Sequence, residues 1–144
     1  MAIRLKRAYE KPAADDGLRV LVDRLWPRGI SKAKARIDVW LKDVAPSTAL
    51  RTWFGHDPAR WGEFRRRYFS ELRQRSDAVA ELRTLIARRE ITFVYAAKDV
   101  DHTHALALKE FIERLRRKPR TRKSKIATKR PRSKRPRAAP RRRS

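Results

Sequence analysis

Large apolar residues almost vanish after residue 116, so any packed core of this 144-residue chain must lie in the first 116 residues. Residues 117–144 contain 15 Lys or Arg, no Asp or Glu, and Ile126 as the single large apolar residue. Such a segment cannot bury enough apolar surface to offset the entropy of ordering its backbone. We therefore predict one folded domain, residues 1–116, followed by a disordered basic tail, residues 117–144.

Short apolar runs alternate with helical stripes in the predicted domain. Alternating or continuous apolar runs predict strands at 3–6, 18–22 and 91–97, with a weaker candidate at 37–42. The run at 91–97 is short, apolar and rich in β-forming residues, as expected of a central strand. Apolar residues spaced by three or four predict four helices, which begin at the N-cap candidates Ser47, Asp57 (followed by Pro58), Ser76, and Asp101 or Thr103.

This alternation predicts the fold class. Strands that alternate with helices favour an α/β fold, here a small layered domain with a largely parallel sheet flanked by helices. In an alternative topology the first two strands pair antiparallel through the polar loop at 15–17. The sequence leaves this choice open.

Several classes of protein and site are disfavoured by composition. The chain has no cysteine, which excludes disulfides, thiolate metal sites and cysteine nucleophiles. No apolar run approaches the roughly 20 residues of a membrane span, and the first seven residues lack the apolar core of a signal peptide. Its four glycines form neither a P-loop nor a dinucleotide fingerprint, and its three histidines have no metal-ligand spacing. We therefore expect a cytoplasmic protein with no cofactor, no metal and no membrane partner.

Two segments that follow predicted strands carry more polar chemistry than a core needs, at 22–29 and 94–104. If both strands are parallel, both segments leave the same carboxyl edge of the sheet, where open α/β sheets bind ligands. Arginine offers a planar fork for phosphate or carboxylate, and lysine a point charge. The sequence therefore predicts a small-anion site. Its expected cations are Arg24, Arg28 and Lys98, and its expected lining residues are Asp23 and Trp26.

Proton transfer at this edge would need a side chain that can act as an acid or a base, and His56, Asp99 and His102 are the candidates. His104 falls on the apolar stripe of the last helix, which favours a core histidine bonded to backbone. On a helix, His102 and His104 would point to different faces.

The same residues have structural interpretations that need no ligand. Asp99 or Asp101 would then only cap the last helix, and Asp23 would only pair with Arg24 or Arg28. Strand-end charges alone do not separate these interpretations from a binding site.

Four motifs in sequence order carry a family resemblance. They are Val-Asp-Arg-Leu-Trp-Pro-Arg-Gly (22–29), Trp-Leu-Lys-Asp-Val-Ala-Pro-Ser (40–47), Trp-Phe-Gly-His-Asp-Pro (53–58), and Tyr-Ala-Ala-Lys-Asp (95–99) with His102 and His104 after it. Through them the chain resembles the bacterial YeaO-like family of unknown function, domain of unknown function 488, from about Ile3 to Leu115. The resemblance implies a small α/β domain of the bacterial cytoplasm. It supplies no reaction, substrate or catalytic residues, and the basic tail lies outside it.

The basic tail contains two near-copies of one motif, Lys129-Arg-Pro-Arg132 and Lys134-Arg-Pro-Arg137. A proline-spaced basic strand can follow a phosphate backbone and release its counterions, which is largely independent of sequence. The motif is similar to a minor-groove AT-hook but lacks its central glycine. We expect the tail to bind DNA or RNA, which would make the protein nucleoid-associated. The expected contacts are Lys129, Arg130, Arg132, Lys134, Arg135, Arg137, Arg141, Arg142 and Arg143.

Other interpretations of the tail remain. It could act only as a solubilising segment, or bind an anionic membrane surface, although no apolar face accompanies its charge. A nuclear-import signal would fit the composition but conflicts with the bacterial resemblance.

Three functions are therefore open at this point. The first is a YeaO-like domain held on nucleic acid by its tail. The second is a small enzyme acting on a phosphorylated or carboxylated molecule, in which His56 or Asp99 moves protons. The third is a partner-binding module that uses exposed aromatic side chains.

Overall fold

A computed structural model of the chain describes residues 3–117 and confirms the predicted α/β fold in that range. The strands are β1 (Ile3–Arg7), β2 (Leu18–Leu21), β3 (Val39–Trp40) and β4 (Ile91–Tyr95). The helices are α1 (Lys32–Ala35), α2 (Thr48–Phe54), α3 (Trp61–Gln74), α4 (Ser76–Arg88) and α5 (His104–Arg117). No helix between residues 3 and 117 is long and apolar enough to cross a bilayer.

Backbone contacts divide the chain into the units Met1–Ile112 and Glu113–Ser144, and every contact discussed below lies within the first unit. Of the second unit, the structure describes the end of α5, residues 113–117. The predicted disordered tail, residues 117–144, and its nine nucleic-acid contacts lie outside the described residues, except for Arg117, which is the last residue of α5. The proposed boundary at residue 116 stays a prediction.

The sheet is parallel throughout, in the order β1-β4-β2-β3. The antiparallel alternative for the first two strands is wrong, because β4 lies between β1 and β2 and pairs with both. Ile91 is opposite Ile3 on one side and Leu18 on the other. All five residues of β4 are buried, as expected of a central strand in a parallel sheet whose two faces are covered.

Local sequence signals account for several element ends. Ser47 caps α2 by accepting a hydrogen bond from Leu50 N, and Gly55 ends that helix with a left-handed φ of 54°. Asp57 and Pro58 open a short 3-10 turn, Pro58–Arg60, rather than α3 itself. Ser76 is the first residue of α4 rather than its cap.

A buried ionic cluster supports the start of β2. Arg19 donates from Nη1 to Asp16 Oδ2 (2.6 Å) and from Nε and Nη2 to the carbonyl of Ala35 (3.1 and 2.8 Å). Lys6 Nζ lies 3.0 Å from Asp16 Oδ1. Burial would raise the pKa of Asp16, but hydrogen bonds from Ala13 N, Lys6 and Arg19 together hold it below its usual value. The pairing therefore stabilises the fold above the unfolded-state pKa of about 3.9, and this contribution is lost as pH falls through the lower folded pKa.

Gly17, between Asp16 and β2, has no room for a side chain. Its φ is 68° and its ψ is −139°, a conformation that is essentially restricted to glycine. An added Cβ would lie 2.4 Å from the carbonyl oxygen of Glu90. That oxygen cannot retreat freely, because it accepts a 3.0 Å hydrogen bond from Leu18 N at the start of the β2–β4 pairing.

We predict that Gly17→Ala lowers the free energy of unfolding by at least about 1–3 kcal/mol, the cost of the backbone conformation alone. The matched control is Gly62→Ala on α3, where an added Cβ meets no atom within 4 Å. That change should raise stability by up to about 1 kcal/mol, since alanine is the better helix former. Urea denaturation of both variants measures the difference. Equal stability of the Gly17→Ala variant and the wild type would contradict the tight packing described.

Candidate functional site

Parallel pairing of β2 with β4 brings the two polar segments to one edge, as the sequence predicts. The pairing continues one residue past the end of β2, where Val22 N donates to the carbonyl of Val94 (3.1 Å). A cavity of about 730 Å³ opens at this carboxyl edge, and we call it the strand-end cavity. The predicted cations Arg24, Arg28 and Lys98 all line it. So do the other residues that the sequence singled out, Asp23, Trp26, His56, Asp99 and His102.

Asp23 connects the elements that surround the cavity. Its Oδ2 accepts a hydrogen bond from Ala96 N, just after β4 (3.0 Å). Its backbone carbonyl accepts one from the indole Nε1 of Trp40, in β3 (2.8 Å). Its Oδ1 is buried and lies 3.1 Å from Nε2 of His104, the first residue of α5. Asp23 therefore links β4, β3 and α5, and within the part of the chain that the structure describes no ion pair joins it to Arg24 or Arg28, the partners in the alternative structural interpretation.

His104 is held by backbone, as its place on the apolar stripe predicts. Its Nε2 lies 3.0 Å from the carbonyl oxygen of Val22, and a carbonyl can only accept, which puts a proton on Nε2. The same Nε2 faces Asp23 Oδ1, and this carboxylate oxygen has no well-aligned hydrogen bond of its own among the described residues. The expectation that His102 and His104 face apart did not apply, because His102 precedes α5. Both line the cavity.

Asp99 orders the loop before α5 and orients a histidine. Its Oδ1 accepts hydrogen bonds from the backbone N of Asp101 (3.0 Å) and of His102 (3.2 Å). Its Oδ2 lies 2.8 Å from Nδ1 of His102, and this hydrogen bond is the main reason that the pKa of Asp99 is lowered. Thr103, rather than Asp99 or Asp101, precedes the helix, and its Oγ1 accepts from Ala105 N (3.3 Å). A carboxylate on Nδ1 leaves Nε2 of His102 as the imidazole atom that could accept a proton.

An aromatic wall forms one side of the cavity. Phe54 of α2 stacks on Phe64 of α3 with ring centroids 4.4 Å apart, and both rings line the cavity. The ring of Phe64 also stacks on that of Tyr68, with centroids 5.7 Å apart. The Tyr68 hydroxyl donates to the carbonyl of Val44. Complete burial raises the pKa of Tyr68. His102 meets Trp61 edge-on at 5.4 Å, so the loop before α5 is packed against α3.

Trp26 is fixed by its own contacts. Its Nε1 donates to the carbonyl of Ile30 (2.7 Å), and its ring meets Trp40 edge-on at 5.5 Å. This indole therefore lines the cavity from a packed position. His56 has a left-handed φ of 57° directly after Gly55 and is exposed, with its ring 6.2 Å from that of Phe54.

The cationic side chains that line the cavity differ in their exposure and in their hydrogen bonds. Arg24 is half-buried and donates, at 3.3 and 3.4 Å, to the carbonyls of Ala45 and Pro46. Arg28 and Lys98 are exposed. Arg51 of α2 also lines the cavity, and sequence reasoning missed it because no local motif distinguishes it from the other arginines on the helices. With Asp23 and Asp99 as the carboxylates, the four cations leave the lining at 4 − 2 = +2.

A metal has no evident place in this arrangement. Among residues 3–117, no group of three or more His, Asp or Glu side chains is placed to hold an ion. The chemistry that the lining can offer is anion binding by the cations, stacking on the aromatic rings, and proton acceptance by His102.

Comparison with known proteins identifies the family. The family described as the inactive DUF488-N3 subclade matches residues 2–129. The chain belongs to this YeaO-like family. The match extends beyond Leu115, the limit set by the motifs, and includes the first part of the basic tail.

Relatives of the YeaO-like domain are named as uncharacterized proteins. Rv3073c of Mycobacterium tuberculosis is 48% identical over 110 residues, which are 76% of this chain and 92% of that protein. Mb3100c of Mycobacterium bovis has the same values. YeaO of Escherichia coli K12 is 38% identical over 115 residues, 80% of this chain and 100% of that protein. No solved structure matches the chain.

Proposed function

We propose that the protein binds DNA or RNA non-specifically through the basic tail, in the cytoplasm and at the nucleoid. The supporting observation is the division of charge in the sequence. Residues 1–116 carry 25 basic and 16 acidic side chains, a net +9, whereas residues 117–144 carry 15 basic side chains and no acidic one. Within the tail, the contacts proposed are the nine lysines and arginines between 129 and 143.

Phosphate neutralisation explains how such a tail binds without reading sequence. Each Lys or Arg that contacts a phosphate releases condensed counterions, so the binding constant falls steeply with salt. For about 6–10 contacts, affinity should fall about 10³–10⁵-fold between 50 and 200 mM salt. The absence of acidic residues in 117–144 favours this function over a purely solubilising role.

We predict that replacing the nine basic residues of 129–143 by glutamine removes most of this affinity and flattens the salt dependence. The control is a full-length chain whose residues 117–144 are permuted, with composition and charge unchanged. Because phosphate neutralisation is largely indifferent to sequence, the permuted chain should bind like the wild type. Salt-titrated fluorescence anisotropy with labelled duplex DNA and RNA measures both. Equal affinity and equal salt slope of the glutamine variant and the wild type would contradict the proposal.

We further propose that the YeaO-like domain binds a small phosphorylated or carboxylated molecule in the strand-end cavity. The supporting observation is the +2 lining around a cavity of about 730 Å³, a volume in the usual range of ligand pockets, about 300–1,000 Å³. Asp99 and His102 have the geometry of an orienting carboxylate and a base. The family is described as inactive, however, and for that reason we propose binding without turnover rather than catalysis by His56, Asp99 or His102.

We predict that pyrophosphate, as a probe anion, raises the melting temperature of the wild-type protein in a saturable manner, since a ligand that binds only the folded state stabilises it. Arg28→Gln/Lys98→Gln should abolish the shift. The matched control is Arg83→Gln/Arg88→Gln, which removes two exposed arginines of α4 and should leave the shift unchanged. A shift that is identical in the two double variants would place anion binding elsewhere.

A further inference from the structure

We infer that the strand-end cavity binds a nucleoside phosphate, with the phosphate at its cationic rim and the base against its apolar and aromatic side chains. This inference rests on the anion site proposed above and names the class of its ligand. The observations that carry it are the placement of exposed apolar side chains, the held ring of Tyr9, and the size of the cavity.

Exposed apolar side chains gather at one edge of the sheet. Among residues 3–117, the large apolar side chains that are exposed are Tyr9, Leu25 and Val100, at 47, 64 and 50%. Each follows the carboxyl end of a different strand, β1, β2 and β4 respectively. Isolated exposed apolar residues are normal on a protein surface, but a cluster at a cavity indicates contact with a ligand. Tyr9 and Leu25 line the cavity directly.

Tyr9 is held in position at the rim. Its hydroxyl donates to the carbonyl oxygen of Arg28 (3.0 Å), which joins the loop after β1 to the segment after β2. The guanidinium of Arg7 lies 5.2 Å from the ring centroid, and Arg7 is itself fixed by a 2.9 Å hydrogen bond from Nε to the carbonyl of Ala97. An exposed ring that is fixed in this way loses little conformational freedom when a planar group stacks on it.

Cations and exposed apolar side chains come from the same strand-end segments. Arg28 and Leu25 both follow β2 and line the cavity. Lys98, which also lines it, and the exposed Val100 both follow β4. A bare inorganic anion would use the charges but leave the apolar side chains in water. A ligand that combines a planar heterocycle with a phosphate uses both, because bases stack on aromatic side chains while basic groups hold the phosphate.

The size of the cavity agrees with such a ligand. A volume of about 730 Å³ far exceeds the needs of a single phosphate and suits a drug-sized molecule. A nucleoside phosphate reaches the cavity from one of two sources, a free nucleotide or an unstacked nucleotide of a single strand. The basic tail would raise the local concentration of the second source.

The test titrates the full-length protein with inorganic pyrophosphate, adenosine, AMP, GMP, CMP and UMP by isothermal titration calorimetry. We expect at least one nucleoside monophosphate to bind tenfold or more tightly than either pyrophosphate or adenosine. Tyr9→Ala should weaken that nucleotide about 5- to 150-fold, the usual range for loss of one base–aromatic stack. Tyr9→Phe keeps the ring and should stay within about threefold of wild type, which separates stacking from the hydrogen bond to Arg28.

The outcomes separate this inference from the site on which it rests. Pyrophosphate binding that is equal to or tighter than nucleotide binding would overturn the inference and leave the anion site intact. Binding of neither would overturn both. Nucleotide affinity that is unchanged in Tyr9→Ala would also overturn the inference.

A final arm identifies the source of the ligand. The variant with nine glutamines at 129–143 is used, so that the tail does not dominate binding. Displacement of a fluorescent mononucleotide by single-stranded oligothymidylate, but not by duplex, supports a strand as the source. Displacement by free mononucleotides alone supports a free metabolite.

Discussion

The carboxyl edge of the sheet depends on the contacts of a single residue, Asp23. A parallel sheet directs its loops to one edge, but nothing in strand pairing alone fixes those loops relative to one another. Asp23 does so with a hydrogen bond from Ala96 N to its carboxylate and one from the Trp40 indole to its carbonyl. His104 adds a third link through its contact with Val22 O and the same carboxylate. A cavity whose walls are joined in this way is formed before any ligand arrives.

The fold followed from sequence where one strong local signal decided it. The run at 91–95 is short, nearly all apolar and rich in β-forming residues, which is typical of a central strand in a parallel sheet. Ser47 and Gly55 bounded α2 because side-chain capping and a left-handed turn are local events. The weaker strand candidate at 37–42 is in the structure a strand of two residues, β3 (Val39–Trp40).

The sequence predicted which residues line the strand-end cavity better than it predicted the contacts that those residues make. The predicted residues lie together because β2 and β4 are parallel, and the sequence pattern alone indicated that their carboxyl ends would meet at one edge. The partners of Asp23 could not be read from spacing, since Ala96 and His104 are distant in sequence. Arg51 lines the cavity because α2 lies beside this edge. His104 is bonded to backbone, as its apolar stripe predicts, but it also lines the cavity, which the stripe did not indicate. The function proposed for the tail rests on its charge, which is read from the sequence alone.

Amide hydrogen exchange at Ala96, followed by NMR, tests most directly whether Asp23 holds the edge together. The amides of Phe93 and Val94 in β4 serve as internal references, and Asp43→Ala, an exposed aspartate, serves as the matched control. In Asp23→Ala, we predict that exchange at Ala96 accelerates about 5- to 150-fold relative to those references, as expected when a partly buried donor loses its partner at a cost of about 1–3 kcal/mol. Equal relative protection of Ala96 in the wild type and in Asp23→Ala would contradict the account.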